Sequence, residues 1–344
     1  MRKSLTVFAV AAGTAAVALL CACSSGESQG PTSDLPNSAA SQSHMRSDVS
    51  RSGILSEFHG VAPTFPEHSA RMSPDKKKMA KDLFVSDWGT GAVEILKNKS
   101  WQNLGSITDG MDGPEGTWVD SKGNLYVANY EGIDITEYAK GTSSPTYTYN
   151  SGMDDPIGVT TDRQDNVYES DWQGGYVSEY AQGSNTQIKK CSPGGVVEGV
   201  AVDSKGDVFV AYYTYTDYEG RIAEYKGGLS GCSGTALGAT VEYPGGMVLD
   251  KSNNLLICDQ AAETVDVIKP PYNSISGTLG SGYSNPFGVT VNKKNNQAYV
   301  VNTSLTAGYV LVLSYPGGST EDTLGSSNGL EEPVSAVDSE NHVP

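Results

Sequence analysis

The sequence predicts an all-β fold: a six-bladed β-propeller with four strands per blade, closed by pairing of N- and C-terminal strands. Three observations predict it. The phrase GPEGTWVDSKGNLYVAN, at residues 113–129, recurs at a nearly constant interval. Each recurrence is followed by further short apolar runs. The two ends of the chain carry complementary fragments of the same unit.

The glycine of the phrase marks the interval. Gly116, Gly158, Gly199, Gly246 and Gly288 are separated by steps of 42, 41, 47 and 42 residues. Four residues after each stands Asp120, Asp162, Asp203, Asp250 or Asn292. A period of this length marks a supersecondary unit that buries its faces only by stacking on copies of itself. Within a copy, an apolar run such as GVAVD is followed by a polar SKGD and a second run, VFVAY. Two apolar runs about three residues apart, with Gly, Asp and Asn between them, form a hairpin. The second runs end at Asn129, Asp171, Tyr212, Asp259 and Asn302. Third runs follow at 135–138, 177–180, 222–225, 265–268 and 310–313, and a weaker fourth, as at 186–188, ends most copies. Four short strands per copy, with no sustained helical period, describe a propeller blade.

The chain ends supply the sixth blade. LFVSDWGTGAVEIL, from Leu83, matches second and third strands, with Asp87 in the strand-end position and no first strand before it. EPVSAVDSENHVP, at the C-terminus, supplies a first strand, with Asp338 expected in the slot of Asp120. Joining the two fragments closes the ring and removes the open edges that would invite aggregation. The propeller is therefore expected over residues 79–344.

Upstream, Arg2 and Lys3 precede an apolar run from Leu5 to Leu20, too short and Ala-rich for a membrane span. Residues 1–22 read as a secretory signal. Leu20-Cys21-Ala22-Cys23 resembles the bacterial lipobox. That resemblance implies cleavage before Cys23, lipidation of Cys23, and loss of Cys21 with the signal. The expected product is exported and lipid-anchored in the cell envelope, touching the membrane through the anchor alone. Residues 23–78, Ser/Gly/Pro-rich and aperiodic, read as a flexible tether. Cys191 and Cys232 fall in neighbouring repeats and can pair in an oxidising compartment, while Cys258 aligns with Ala128, Ser170 and Ala211 as a small core residue. The net charge of −17 repels phosphate backbones and argues against nucleic acid as a partner. A monomer is expected.

The pattern P-x-G-x-x-V-D-x-x-G-N-L-Y-V-A-N resembles the NHL repeat and the six-bladed senescence-marker-protein/gluconolactonase type of propeller. The resemblance spans residues from about 82 to 344. It implies a divalent cation, calcium or another, at the channel mouth, held partly by residues just before the repeated glycine. Those positions are read as Glu115, Ile157, Glu198, Gly245, Phe287 and Pro333. Glu115 and Glu198 are the candidate metal ligands, and the other four have no suitable side chain. Calcium takes six to eight oxygens, so two Glu need help. The Asp and Asn at the second-strand ends recur in every blade but one, which suits turn capping better than ligation. The histidines, His44, His59, His68 and His342, lie far from the repeats' chemistry and supply no credible catalytic base.

One feature is less generic than the repeat. The residue after the second strand is aromatic in four consecutive blades: Trp88, Tyr130, Trp172 and Tyr213, with Tyr212 beside the last. Gln260 and Thr303 stand there in the other two. An aromatic arc at the mouth can stack on sugar rings or grip a peptide. The leading expectation is a non-enzymatic scaffold binding a protein or carbohydrate through Trp88, Tyr130, Trp172, Tyr212 and Tyr213. The alternatives are a metal-dependent lactonase or related hydrolase, and a structural repeat protein without a small-molecule site.

Overall fold

The computed structural model describes residues 82–340. The signal segment, Cys23, the tether, His342 and the last residues lie outside the described residues. Six four-stranded antiparallel sheets form six blades, and one 3-10 turn, Ser326–Asn328, is the helical element among the described residues. Blade 1 consists of Pro114–Val119, Leu125–Asn129, Asp134–Tyr138 and Tyr147–Tyr149. Blades 2 to 5 repeat this order, with first strands Pro156–Thr161, Gly195–Val202, Pro244–Leu249 and Pro286–Val291. Blade 6 is shared: Pro333–Asp338 from the C-terminal end pairs with Asp82–Asp87, which continues into Ala92–Lys97 and Asn103–Ile107.

The strand residues alternate between the two sides of each blade, and both sides are buried. Val85 and Leu83 of blade 6 pack with Tyr299 and Val301 of blade 5, while Phe84 packs with Val119 and Val127 of blade 1. Tyr168 and Val177 of blade 2 meet Val200 and Val210 of blade 3; Ala201 and Phe209 of blade 3 meet Leu255 and Ile257 of blade 4. A sheet buried on both faces reads as a near-continuous apolar run, as these second strands do. Cys258 is fully buried in the cluster that joins blades 4 and 5.

The repeated glycine sets the width of the ring. A Cβ on Gly116 would lie 2.6 Å from the Ile157 carbonyl oxygen, and one on Gly288 would lie 2.8 Å from that of Val334. In blades 1, 3, 4 and 5 the first strand thus leans its glycine on the backbone of the next; in blade 2 the nearest neighbour of a Cβ on Gly158 would be the Ser170 hydroxyl of its own blade. Blade 6 has Ser335 in this slot. Its hydroxyl accepts from the Thr117 N–H at 3.2 Å and pairs with the Thr117 hydroxyl at 2.9 Å. Ser86 donates to the Glu115 carbonyl across the same seam.

Two expected positions in blade 6 shift by one residue. Asp338 pairs with Leu83, as Val119 pairs with Leu125, so it does not hold the Asp120 slot. Ser339 does: its N–H donates to the Asp82 carbonyl and its hydroxyl accepts the Asp82 N–H at 2.9 Å. The residue before the glycine slot is consequently Val334, not Pro333. Pro333 pairs with Asp87 as Pro114 pairs with Asn129.

Blades 2 and 3 are also joined covalently. Cys191 and Cys232 form a disulfide, with Cα atoms 5.2 Å apart.

Candidate functional site

First strands start, and second strands end, at one end of the ring, so the residues before the glycine slot and those after the second strand share this mouth. The strand-end acids hold it together. Asp87 accepts the N–H groups of Glu331 and Glu332 at 2.8 and 2.9 Å and that of Thr90 at 3.1 Å. Asp259 does the same for Glu242, Tyr243 and Ala262, at 2.6, 3.0 and 3.1 Å. Asp171 receives Asp154, Asp155 and Gly174. Each carboxylate clips the incoming inter-blade loop to its own second-to-third-strand turn. Asn129 and Asn302 make the weaker amide version. These residues are buried caps, as the turn-capping expectation holds.

Blade 3 has Tyr212 in the clip position and solves the same problem differently. Its first two strands extend further, pairing Gly195 with Thr214 and Val196 with Tyr213. The ladder itself satisfies the backbone groups that a carboxylate serves elsewhere.

The five aromatic residues divide into a buried three and a half-exposed two once their surroundings are known. Trp88 is 8% exposed and packs with Phe287, Val334 and Tyr130, its ring 5.8 Å from that of Tyr130. Tyr213 is 1% exposed, stacked on Tyr243 at 5.1 Å and flanked by Tyr218 at 6.4 Å. Tyr212 points into the core between blades 2 and 3. Trp88, Tyr212 and Tyr213 therefore present no open ring face. Tyr130 and Trp172 are only half-buried. The Trp172 indole N–H donates to Glu198 Oε1 at 3.0 Å, tying the second blade's turn to the third blade's first strand.

Two rings that the arc did not include stand out on the same end. Tyr215 and Tyr218, in the long turn of blade 3, are 56% and 55% exposed. Ile133, in the corresponding turn of blade 1, is 45% exposed. Their loop lengths were legible in the sequence; their exposure was not.

Glu115 and Glu198 are each 4% exposed at the mouth. They do not fit a resident divalent cation. Ile157, Gly245, Phe287 and Val334 complete their ring, the strand-end carboxylates are committed to backbone N–H groups, and Glu198 receives the Trp172 indole. Among the described residues, no group of three or more His, Cys, Asp or Glu converges as a metal would require. Glu332, beside Asp87, has its carboxyl pushed up to about 7 by burial, with the nearby charges of Asp87 and Glu331 adding to it.

The channel below the mouth is narrow. It is lined by first-strand residues such as Gly158, Thr160, Gly199, Met247 and Thr290, and holds ≈ 70 Å³ of solvent-sized space. That is room for about five waters, given roughly 10–15 Å³ each, and not for a sugar.

No family model matches the sequence, and no curated protein is similar to it. Solved structures are similar. A chain in the crystal structure of a nidogen/laminin complex superposes with a TM-score of 0.62 at 15% identity, over 75% of this chain and 98% of that one. A protein of unknown function from Bacteroides caccae superposes with a TM-score of 0.60 at 9% identity, over 75% and 98%. At such identities the likeness concerns the fold, which is the β-propeller.

Proposed function

We propose that this chain is an exported, lipid-anchored propeller of the NHL or senescence-marker-protein/gluconolactonase-like kind that acts as a binding scaffold, taking a protein or glycan ligand at its mouth. The observation that carries the reading is the asymmetry of that end. Three consecutive blades offer Tyr130, Trp172 and the Tyr215–Tyr218 turn, while the other half offers Gln260, Thr303 and a buried Trp88. A one-sided set of half-exposed aromatics is what a ligand surface needs and what ring closure does not need. The narrow channel supports surface recognition over capture of a small molecule. The hydrolase reading gains nothing from the donor set at Glu115 and Glu198.

The test is ligand capture on glycan and peptide arrays by the wild type and by Tyr130→Ala/Trp172→Ala. The double variant is expected to keep its fold by circular dichroism and to lose every ligand the wild type captures. Retained capture would remove the mouth from consideration. For the anchor, labelled palmitate is expected to enter the expressed precursor and to be lost in Cys23→Ser.

A further inference from the structure

The exposed apolar side chains at the mouth end sit in an unusual electrostatic setting. Of the large apolar residues that are well exposed, Ile133, Tyr215 and Tyr218 belong to this end and lie in the turns of blades 1 and 3. Tyr215 reaches over blade 2: its hydroxyl lies 2.5 Å from where a Cβ on Gly175 would stand. These exposed side chains thus stand on three neighbouring blades, the first two of which also carry the half-buried Tyr130 and Trp172 in their turns.

The loops around it are predominantly acidic. Between strands, the mouth-end loops of the described chain hold eleven carboxylates, among them Asp112, Glu131, Asp154, Glu242, Glu263 and Glu331, and no lysine or arginine. Two cations reach this end from near strand termini: Arg221 pairs with two of the eleven, Asp217 and Glu219 of the blade 3 turn, and Lys190 donates to the Gly152 carbonyl. The loops at the opposite end hold ten cations, including Lys122, Arg163, Lys205, Lys251, Lys293 and Lys294, against seven carboxylates. Four of those seven, Asp120, Asp162, Asp203 and Asp250, are buried and accept backbone N–H groups of their own hairpins. The negative charge of the described loops is therefore not spread evenly. It is concentrated on the end that also exposes tyrosine and isoleucine. Generic solubility calls for charge on all sides, so segregation needs a different cause.

We infer that the mouth end docks a cationic polypeptide segment, lysine- or arginine-rich with interspersed apolar residues, whose apolar side chains lie on Ile133, Tyr215 and Tyr218. This deepens the scaffold reading and rests on it. Charge complementarity selects the occupant. A neutral glycan would use the rings and leave the carboxylates unanswered, and an anionic one would be repelled. Lysine and arginine answer both, by long-range attraction to the carboxylates and by cation–π contact with the exposed tyrosines.

The test uses the full chain and a synthetic peptide alternating lysine and tryptophan, with a lysine–glycine peptide and a neutral oligosaccharide as comparison probes. Binding is read by calorimetry at low and high salt. The lysine–tryptophan peptide is expected to bind, and to weaken about tenfold or more in Tyr215→Ser/Tyr218→Ser. It is also expected to weaken in Asp112→Asn/Glu131→Gln/Glu331→Gln, but not in Asp207→Asn/Glu321→Gln/Glu340→Gln, which changes net charge equally away from the mouth. Equal weakening by both triple variants would reduce the effect to bulk charge and overturn the inference. So would equal affinity for the lysine–glycine peptide, or no binding at all. If the oligosaccharide binds instead, and Tyr130→Ala/Trp172→Ala abolishes it, the scaffold reading survives and this inference falls. If no probe senses any mouth substitution, both fall.

Discussion

Glu169 occupies a position that is apolar in the five other blades: Val85, Val127, Val210, Ile257 and Val300. It is fully buried, and neither carboxyl oxygen makes a well-formed hydrogen bond, although Asp171 and Ser178 are close. Burial pushes its carboxyl well above the usual range, and the Asp171 charge adds to the effect. The folded state then holds a proton that the unfolded chain releases. Stability is fully present below the ordinary Glu range and falls as pH rises from there toward the native value. Glu169→Val is expected to stabilise by about 1–3 kcal/mol at neutral pH, and to flatten that dependence, as read from urea midpoints at acid and neutral pH. Glu332, raised to about 7, contributes the same sign over the window between the ordinary Glu range and 7, so Glu332→Gln should remove a share of it. Substitution of a clip carboxylate is expected to destabilise instead. Asp259→Ala leaves three backbone N–H groups without their acceptor and is expected to cost about 2–3 kcal/mol. Asp259→Asn should cost less, because Asn129 and Asn302 perform the role in two blades. Equal losses for the two substitutions would count against the clip.

At the scale of the element, the second-to-third-strand turn uses a left-handed residue before the third strand. Gly91 and Gly175 hold it with φ of 62° and 65°, whereas Ile133 holds it with φ of 55°. A β-branched residue there is strained, since left-handed backbone costs an L-residue roughly 1–2 kcal/mol. Ile133→Gly is expected to raise stability by about 1 kcal/mol, the strain relief being partly offset by glycine's larger unfolded entropy. If Ile133 also serves a partner, the same substitution weakens binding while the midpoint rises, and that opposition of signs is itself measurable. The disulfide links the fourth strand of blade 2 to the third-to-fourth-strand loop of blade 3 and closes a loop of 41 residues. Cys191→Ala/Cys232→Ala is expected to cost about 2–4 kcal/mol, the range for loops of this size, read as a lower melting temperature without change of fold.

At the scale of the whole molecule, stability depends on a seam. The first strand of blade 6 supplies the partner for Asp82–Asp87 and the Ser335 contacts to blade 1. Removing residues 331–344 takes away that strand, the N–H groups that Asp87 clips, and the neighbour on which Gly288 leans. The truncated chain is expected to lose its single cooperative transition and to expose the edge of blade 6 to protease and to aggregation. Survival of a sharp transition near the original temperature would show that five blades and an open edge suffice. The same closure positions the mouth, because four of the first strands rest a glycine on the backbone of the next and the Ser335 hydroxyl ties the sixth to the first.

The blade count, the shared sixth blade and the capping aspartates were legible in the residues themselves. They rest on a local grammar, two apolar runs around an Asp–Gly–Asn turn, that repeats often enough to be counted. Register was harder. The C-terminal fragment is one residue shorter between Pro333 and Asp338 than its counterparts, and an aspartate stands where the eye expects one. Only cross-strand hydrogen bonding assigns the turn slot to Ser339 and the mouth slot to Val334. The aromatic arc likewise needed the tertiary structure. A residue after a strand can turn toward solvent or fold onto its neighbour, and contacts from other blades, Phe287 on Trp88 and Tyr243 on Tyr213, decide which. Composition carried the net charge of −17, but the segregation of the loop carboxylates to one end of the described ring follows from which loops the alternating strand directions bring together. Sequence sets what each turn contains; the closed ring sets which turns are neighbours.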